Sequence, residues 1–250
     1  MSTARTVQIE DQSEALNALN GWLQIDPQKT AIVTIDMHRG HLDPQEATLP
    51  VAPELSERVR GASKDLLTFA RSKGIPVIHV ILTWRPLEAY KFNPRIDAAR
   101  ITMSRQKPTT DAQRRGVAHN IVGSVQTELM PEIGPEEGDH VIDNKKTLSS
   151  FYGTDLQLLL SSFLKVDTVV LMGINTNTCV LNAAFEGMNQ GYKMVVAREC
   201  VGSMYGEDLH EFGLQNVARC LGWVLGIDEI KQKVNEFATS EPQRELAGVS

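Results

Sequence analysis

Short apolar runs alternate with stretches of helical periodicity along most of this sequence. TAIVTID at 30–36 is continuous and β-branched, as in strands that are buried on both faces. Apolar residues recur at helical spacing over residues 54–73, a stretch ended by Gly74, and IPVIHVIL at 75–82 is a second strand candidate. This alternation predicts the α/β class, with a parallel sheet covered by helices on both faces.

The alternation continues towards the C-terminus and predicts the remaining elements. Strands are expected at 139–143, 167–173, 192–198 and just after 222, and helices at 154–164, 178–190, 208–222 and up to 237. Residues 83–138, which we call the excursion, interrupt this alternation of strands and helices and contain five prolines. So long an excursion within a compact domain is usually a lid, a binding loop or an oligomer contact. We therefore expect one domain at 28–240, an N-terminal extension at 1–27 and a C-terminal tail at 241–250.

Composition and charge exclude several classes of function. The chain has 250 residues, of which 42% are apolar, enough for one sizeable core. A net charge of −6 without any basic run argues against nucleic acid or an anionic membrane as a partner. No apolar stretch approaches the roughly 20 residues of a membrane span, and no apolar signal region is expected. The three cysteines form no CxxC pair, which argues against a disulfide framework and a thiolate zinc site and predicts a cytoplasmic setting.

Chemically useful side chains follow three of the predicted strands. Asp36 follows the first, Lys145 and Lys146 follow the third, and Cys179 follows the fourth within GINTNTCVLNAAF. Because ligands bind at the carboxyl ends of parallel strands, a carboxylate, an amine and a thiol are expected at one edge of the sheet. Nucleophilic acyl transfer requires this combination of groups.

The position of Cys179 predicts an activated thiol. With Asn177 as the N-cap, Cys179 lies in the first turn of a helix, where unpaired N–H groups and the helix dipole favour negative charge. The helix start and an ammonium group from Lys145 are together expected to lower the pKa of the thiol. Asp36 would accept the thiol proton and pass it to the leaving amine. N–H groups of the same turn would hold the oxyanion.

Each of these residue types also has an ordinary structural interpretation. A single cysteine in a chain of this size is usually a small buried hydrophobic residue, which is how we interpret Cys200 and Cys220. An aspartate after a strand often orders a turn, and a lysine in a Lys–Lys pair is commonly a solvated charge. His38, His41 and His79 suggest a metal site, but His79 lies inside a predicted strand and is better explained as a hydrogen-bonded core histidine.

Three segments in a fixed order strengthen the functional interpretation. TAIVTIDMH, VIDNKKTLSSFYGTDL and VVLMGINTNTCVLNAAFEGMNQGY together resemble the isochorismatase-like cysteine hydrolases. That family includes nicotinamidases, N-carbamoylsarcosine amidases, and biuret- and ureidoacrylate-type amidohydrolases. The resemblance extends from about residue 28 to residue 230. It implies an α/β/α sandwich with a six-stranded, mostly parallel sheet, a homo-oligomer (dimer or tetramer) and no cofactor.

The resemblance also assigns roles to individual residues. The catalytic triad that it implies consists of Cys179, Lys145 and Asp36. Lys145, rather than Lys146, has the family's spacing to the phenylalanine of SFYGT. A cis peptide bond is implied between Ile174 and Asn175, and it would direct the N–H of Asn175 at the substrate oxyanion alongside that of Cys179.

Departures from the family pattern narrow the range of reactions and metal sites expected of this chain. True isochorismatases lack the cysteine that this chain has. Nicotinamidases carry the metal motif Asp-Trp-His-Pro where this chain has TWRP at 83–86, so no metal site is expected. His38, Arg39 and Arg85 lie in segments predicted to reach the pocket and are candidate substrate-binding residues.

Two functions from different classes remain. The sequence favours a cysteine-dependent amidohydrolase that acts on a small linear amide or ureide and releases ammonia through a thioester intermediate. The alternative is a non-catalytic ligand-binding or regulatory module on the same fold, and the presence of all three catalytic residue types counts against it. A flavodoxin-like nucleotide binder is a weaker interpretation, because no glycine-rich phosphate loop follows the first strand.

Overall fold

One all-parallel sheet organises the part of the chain that the computed structural model describes, residues 8–89 and 107–247. In this part six strands pair in the order β3–β2–β1–β4–β5–β6. They are β1 (Thr30–Ile35), β2 (Val77–Leu82), β3 (His140–Lys145), β4 (Thr168–Ile174), β5 (Lys193–Gly202) and β6 (Gly222–Leu225). The predicted six-stranded, parallel sheet is confirmed.

Helices connect the strands and cover both faces of the sheet. The α-helices are α1 (Ser13–Asn20), α2 (Arg39–Leu42), α3 (Pro53–Ser72), α4 (Asp111–Arg114), α5 (Leu156–Leu158), α6 (Leu181–Asn189), α7 (Glu207–Asn216) and α8 (Ile227–Ala247). Short 3-10 turns lie at Pro27–Lys29 and Val125–Thr127, and π-helical turns lie at Leu159–Phe163, Thr176–Val180 and Val217–Leu221. None of these helices is both long and apolar enough to cross a membrane.

Alternate residues of the strands supply two separate cores. On one face, Ile32 of β1 joins a cluster that includes residues of α3 and α8. On the other face, Ala31 and Val33 join a cluster that includes residues of α5, α6 and α7. This division follows from the pleat, which points successive side chains to opposite faces of the sheet. The result is the predicted α/β/α sandwich.

The order of the strands creates a crevice near the middle of the sheet. The chain runs outwards from β1 through β2 to β3, and then returns to the other side of β1 to form β4. The carboxyl ends of β1 and β4 therefore flank a switch point, where open parallel sheets bind ligands. Gly173 allows these ends to approach, since its φ is +136° and a Cβ there would collide with the carbonyl oxygen of Ile35.

Several elements extend past their predicted limits. β3 continues through Lys145, β5 is long enough to place Cys200 inside the sheet, and α8 runs to Ala247, past the tail boundary expected at 240. Sequence periodicity marks the apolar centre of an element better than its polar ends. Within residues 8–27, Asn20 contacts α8, because Lys233 Nζ donates to its carbonyl oxygen at 2.6 Å.

The predicted excursion adds no strand to the sheet over residues 83–89 and 107–138, and residues 90–106 lie outside the described part. It folds back along the segments that follow β1 and β2. Single β-bridges join His38 to Leu129 and Trp84 to Ile121. The excursion therefore lies beside the carboxyl ends of the central strands.

Candidate active site

Three ionisable side chains, the triad of Asp36, Lys145 and Cys179, meet at the crevice between β1 and β4. Lys145 Nζ donates to Asp36 Oδ2 at 2.6 Å and lies 3.5 Å from Cys179 Sγ. All three residues are buried, with at most 5% of any one exposed. The structure thus brings together the carboxylate, the amine and the thiol that were expected at one edge of the sheet.

The end of β1 holds Asp36 in a defined orientation. Its backbone has a φ of +53°, in the left-handed region that aspartate tolerates better than most residues. The N–H of Leu82, the last residue of β2, donates to Asp36 Oδ1 at 2.8 Å. One carboxylate oxygen therefore binds the neighbouring strand while the other binds Lys145, so the carboxylate is fixed between two donors.

Adjacent lysines at the end of β3 point to different places. Lys145 is fully buried and reaches the triad. Lys146 Nζ instead donates to the carbonyl oxygen of Thr83 at 2.7 Å and pairs with Glu88 at 3.3 Å. Extended backbone turns successive side chains to opposite sides, which explains the difference. The geometry favours Lys145, the lysine that the family spacing indicates.

Cys179 lies in the π-helical turn Thr176–Val180 that leads into α6. Asn175 occupies the N-cap position without a side-chain cap bond, so the prediction of Asn177 as the N-cap is wrong. Ser203 accounts for the difference, because its Oγ donates to Asn177 Oδ1 at 2.7 Å and draws that side chain towards the segment after β5. Cys179 still lies in the first turn of the helical segment.

The segment after β5 also supports the two residues before Asn177. The N–H of Met204 donates to Asn175 Oδ1 at 2.8 Å, and His210 Nδ1 lies 2.8 Å from Thr176 Oγ1. The peptide bond between Ile174 and Asn175 is cis, as the resemblance implies. Side-chain hydrogen bonds therefore hold the turn that carries the thiol from one side.

The sequence as a whole matches a known domain. Residues 30–229 match the isochorismatase domain family. This chain belongs to the isochorismatase family. The resemblance carried by the sequence motifs is thereby confirmed.

Two relatives and one solved structure illustrate the similarity. Maleamate amidohydrolase of Pseudomonas putida is 27% identical over 213 residues, which cover 84% of this chain and 89% of the relative. The ureidoacrylate amidohydrolase RutB of Methylobacterium radiotolerans is 24% identical over 240 residues, covering 90% of this chain and 87% of the relative. The crystal structure of a cysteine hydrolase from Pseudomonas syringae pv. phaseolicola superposes with a TM-score of 0.72 at 20% identity, covering 86% of this chain and 96% of that chain.

Burial controls the protonation of Cys179 in this member of the isochorismatase family. Removal from water raises the pKa of the thiol to about 11, despite the opposing effect of the Lys145 ammonium. The carboxylate of Asp36 raises the thiol pKa further. The prediction of a lowered thiol pKa is therefore wrong, because Asp36 offsets the charge of Lys145 and burial then decides the balance.

The other two triad residues stay charged. Burial disfavours the ionised form of both, but the Lys145 ammonium lowers the pKa of Asp36, and the Asp36 carboxylate raises the pKa of Lys145. The resting site therefore holds a carboxylate, an ammonium and a neutral thiol. The ionised carboxylate of Asp36 lies close enough to the neutral thiol to raise its pKa.

Three imidazoles, the histidine cluster of His38, His41 and His119, pack beside the triad. The ring centroids of His38 and His41 are 4.8 Å apart, and the ring of His119 lies 5.3 Å from that of His41. Burial, reinforced by His41, lowers the pKa of His38 to about 3, so its ring is neutral. Sequence reasoning missed His119, which lies in the excursion where neither periodicity nor a motif marks it.

The two arginines expected at the pocket are engaged by carboxylates. Arg39 pairs with Asp43 at 2.8 Å and with Glu128 at 3.2 Å. Arg85, which is largely exposed, pairs with Glu88. Neither guanidinium contacts a triad residue in the described part of the chain. His38, by contrast, is close enough to the carboxylate of Asp36 for the two groups to affect each other's pKa.

His79 is buried and fully hydrogen-bonded, as expected of a core histidine. Its Nδ1 lies 2.8 Å from Thr34 Oγ1, and its Nε2 lies 3.1 Å from Asp139 Oδ2. Burial lowers the pKa of His79, and Asp139 opposes this effect. Both ring nitrogens are therefore used within the structure itself.

Potential metal ligands occur away from the TWRP segment. Thr83 of that segment donates its hydroxyl to the carbonyl oxygen of Asp143. Within the described ranges, the one group of three or more side chains with ligand atoms close enough to share an ion is Glu207, His210 and Glu211 on α7, whose atoms lie within 4.8 Å of one another. This group is outside the triad, and its His210 bonds to Thr176 in the turn that carries Cys179.

Proposed function

We propose that this protein is a cysteine-dependent amidohydrolase of a small linear amide or ureide. The observation that carries the proposal is the contact of one buried ammonium, Lys145 Nζ, with both Asp36 and Cys179. A lysine is rarely buried in charged form unless it is paired, and here the pair lies beside a thiol at the switch point of the sheet. Two amidohydrolase relatives support hydrolysis of a C–N bond.

The first half-reaction forms a thioester. Asp36 accepts the thiol proton while the sulfur of Cys179 bonds to the substrate carbonyl carbon, and the carbonyl oxygen becomes an oxyanion. The backbone N–H groups of Asn175 and Cys179 are the proposed donors to that oxyanion. Collapse of the tetrahedral intermediate breaks the C–N bond, and Asp36 passes its proton to the leaving nitrogen, which departs as ammonia.

The second half-reaction releases the acid. Asp36, again a carboxylate, takes a proton from water as the water oxygen bonds to the thioester carbon. Collapse of this second intermediate breaks the C–S bond, and the proton returns to the sulfur to restore the neutral thiol. Lys145 remains protonated throughout, since the neighbouring carboxylate raises its pKa. Its charge stabilises the thiolate as it forms.

Substrate preference depends on side chains around the triad. Of the three candidate substrate-binding residues, His38, Arg39 and Arg85, His38 is the one proposed to contact the substrate. His38 needs the least rearrangement, because each arginine must first leave its carboxylate partners. The relatives named for maleamate and ureidoacrylate support a linear substrate with a second carbonyl or carboxylate group near the scissile amide.

Ammonia release from a panel of amides and ureides tests the proposed function. The panel contains biuret, N-carbamoyl amino acids, maleamate and nicotinamide, and we expect turnover of at least one linear member. Cys179→Ser should abolish turnover, and the parent should show an acyl adduct in its intact mass with a slow substrate. Cys200→Ser is the matched control, because Cys200 is also a buried free thiol. Binding without turnover, equal in the parent and in Cys179→Ser, would favour a non-catalytic binding module instead.

The assembly and cellular setting of the protein are further proposals. We infer a homo-oligomer, a dimer or a tetramer, and a cytoplasmic location from the family resemblance and the cysteine pattern. Sedimentation of the purified full chain measures the first directly, and a monomer at the concentration used for the activity assay would contradict it.

A further inference from the structure

Asn120 joins the excursion to the active site at two points. Its Nδ2 donates to the carbonyl oxygen of Leu82 at 2.9 Å and lies 2.8 Å from His38 Nε2. Both Asn120 and His38 are fully buried. The N–H of Trp84 donates to the carbonyl oxygen of Asn120 at 2.8 Å, and Asn120 has a φ of +52°. Asparagine tolerates this left-handed conformation better than most residues do.

These contacts determine which nitrogen of His38 carries a proton. A backbone carbonyl oxygen can only accept a hydrogen bond, so the contact with Leu82 identifies the amide nitrogen of Asn120 and fixes the orientation of the amide. That nitrogen can only donate, so His38 Nε2 must be the acceptor. In the neutral ring the proton then lies on Nδ1. A protonated ring would set an N–H group against the amide N–H₂ group and would lose this bond.

We propose that Asn120 is a positioning residue that holds His38 as a neutral, Nδ1-protonated ring beside Asp36. In this way it preserves the carboxylate as a base for the catalytic thiol, and the inference rests on the function proposed above. A second path connects the same groups, because the N–H of Leu82 donates to Asp36 Oδ1 at 2.8 Å. Asn120 therefore contacts two residues that act on the carboxylate, Leu82 and His38.

A charged His38 would weaken the proposed base. Asp36 already faces the ammonium of Lys145, and a second cation would lower the pKa of the carboxyl further. A weaker base accepts the thiol proton less readily. The titratable groups that face His38 are Asp36, Lys145, His41 and His119. Lys145 and His41 disfavour a positive charge on the ring, whereas Asp36 favours it. The hydrogen bond that Asn120 donates therefore helps to keep the ring neutral.

Nitrogen-15 NMR of histidine-labelled protein measures the tautomer without any substrate. We expect the ring of His38, assigned from the signal lost in His38→Gln, to be protonated on Nδ1 from about pH 5 to about pH 9. Asn120→Asp replaces the donor with an acceptor and keeps a side chain that tolerates the local backbone. The proton should then move to Nε2, or the ring should become an imidazolium. A parent ring protonated on Nε2, or an unchanged tautomer in Asn120→Asp, would overturn the proposal.

The pH dependence of kcat/KM connects the tautomer to catalysis, with the best substrate of the panel. Asn120→Asp should lower kcat/KM about tenfold or more at neutral pH. It should also move the acid limb to higher pH, because His38 must then lose a proton before the base recovers. Asn189→Asp makes the same charge change at the exposed end of α6 and should alter neither quantity. A loss of rate with an unmoved pH profile would overturn the proposal in favour of a purely structural role for Asn120.

A second pair of variants keeps the test valid if Asn120→Asp fails to fold. A Cβ on Gly40 would collide with Asn120 Oδ1 and lie 2.9 Å from His38 Nδ1, so Gly40→Ala should separate the amide from the ring without changing charge. Gly61→Ala in α3 is the control, because nothing lies within 4 Å of its added Cβ. We expect a mixture of His38 tautomers in Gly40→Ala alone, and a single Nδ1 tautomer in both variants would contradict the role of Asn120. These spectra need no turnover, so a failure of the proposed amidohydrolase function gives a different result from a failure of this inference.

Discussion

Two groups of side chains meet at the carboxyl edge of the sheet, and they differ in what holds them. The triad comes from the ends of β1 and β3 and from the turn after β4, whereas the histidine cluster comes from the region of α2 and from the excursion. Strand ends are placed by the register of the sheet. Loop residues are placed by contacts that exist only in the folded chain. Sequence spacing therefore brings the triad together in advance, whereas it marks His38 and His41 but neither His119 nor the packing of the three rings.

The two groups also differ in charge. The triad keeps an ammonium and a carboxylate in dry surroundings, because each stabilises the charge of the other. His38 of the histidine cluster is neutral, because burial lowers its pKa to about 3. Substitutions that remove charge from the triad should therefore have much larger effects than substitutions of charged residues around it.

The largest effect is expected from a matched pair of lysine variants. Lys145→Met should lower kcat/KM by about 1,000-fold or more, since it removes the charge that stabilises the thiolate and leaves Asp36 buried without its counterion. The same substitution should raise the pKa of Cys179 further. Lys146→Met, which loses contacts to Thr83 and Glu88, should change kcat/KM by less than about threefold.

Ammonia release measures both lysine variants, and circular dichroism at the assay temperature shows whether each is folded. If both variants are folded and lose kcat/KM equally, the conclusion that charge matters more in the triad than around it would be wrong. A larger loss in Lys146→Met would mean that the wrong lysine has been assigned.

The fold and the triad could be predicted because each depends on local pattern. Asp36 directly follows a continuous β-branched run, and Cys179 follows another such run by a few small residues. The parallel sheet then brings the two strand ends together. The choice between Lys145 and Lys146 followed from the spacing to Phe151, and strand alternation explains why only one of them points inwards.

The rest of the site depends on the environment inside the folded chain. The pKa of Cys179 was predicted with the wrong sign, because the sequence shows that a lysine is near but not that a carboxylate offsets it in a dry site. Asn177 has good capping chemistry, but Ser203 binds its side chain instead. Asn120 lies 82 residues from His38, in an excursion without periodicity, so nothing in the sequence relates the two.

The next largest effect concerns the chemical reactivity of the Cys179 thiol, which should be about 100-fold lower at neutral pH than that of an ordinary cysteine. With a pKa near 11, Cys179 carries about 100-fold less thiolate at neutral pH than an ordinary cysteine. Its alkylation by iodoacetamide should therefore keep rising with pH up to about pH 10 or beyond. Peptide mass spectrometry separates it from Cys220, which serves as the accessible reference because it is exposed; the interpretation of Cys220 as a buried residue is wrong. An alkylation rate that is already constant above about pH 8 would mean that the pKa of Cys179 is lowered, as an activated thiolate requires. It would contradict the conclusion that burial and Asp36 together outweigh the charge of Lys145.

Arginine variants should have effects of threefold or less. Arg39→Ala loses two partly exposed ion pairs, each worth up to about 1 kcal/mol of unfolding free energy. Arg85→Ala loses one exposed pair with Glu88 and should cost less. We expect KM to change by less than about threefold in both, as in the control Arg114→Ala, whose exposed partner is Asp111. A tenfold rise in KM confined to substrates with a carboxylate would instead make that arginine a substrate ligand.

Metal removal is expected to have no effect on the rate. The positions that carry the Asp and His of the nicotinamidase motif hold Thr83 and Arg85 here, and a guanidinium has no lone pair for a cation. In the proposed mechanism a carboxylate moves the protons and backbone N–H groups hold the oxyanion, so no step requires a Lewis acid. An ion held by Glu207, His210 and Glu211 would lie outside the triad. Exhaustive chelation, followed by metal analysis and assay, should therefore leave kcat/KM unchanged, even if His210→Ala lowers the bound metal. A rate that collapses on chelation and returns with zinc, manganese or iron would contradict this expectation. The histidine cluster, whose three imidazoles lie beside the carboxylate of Asp36, would then be the first group to substitute.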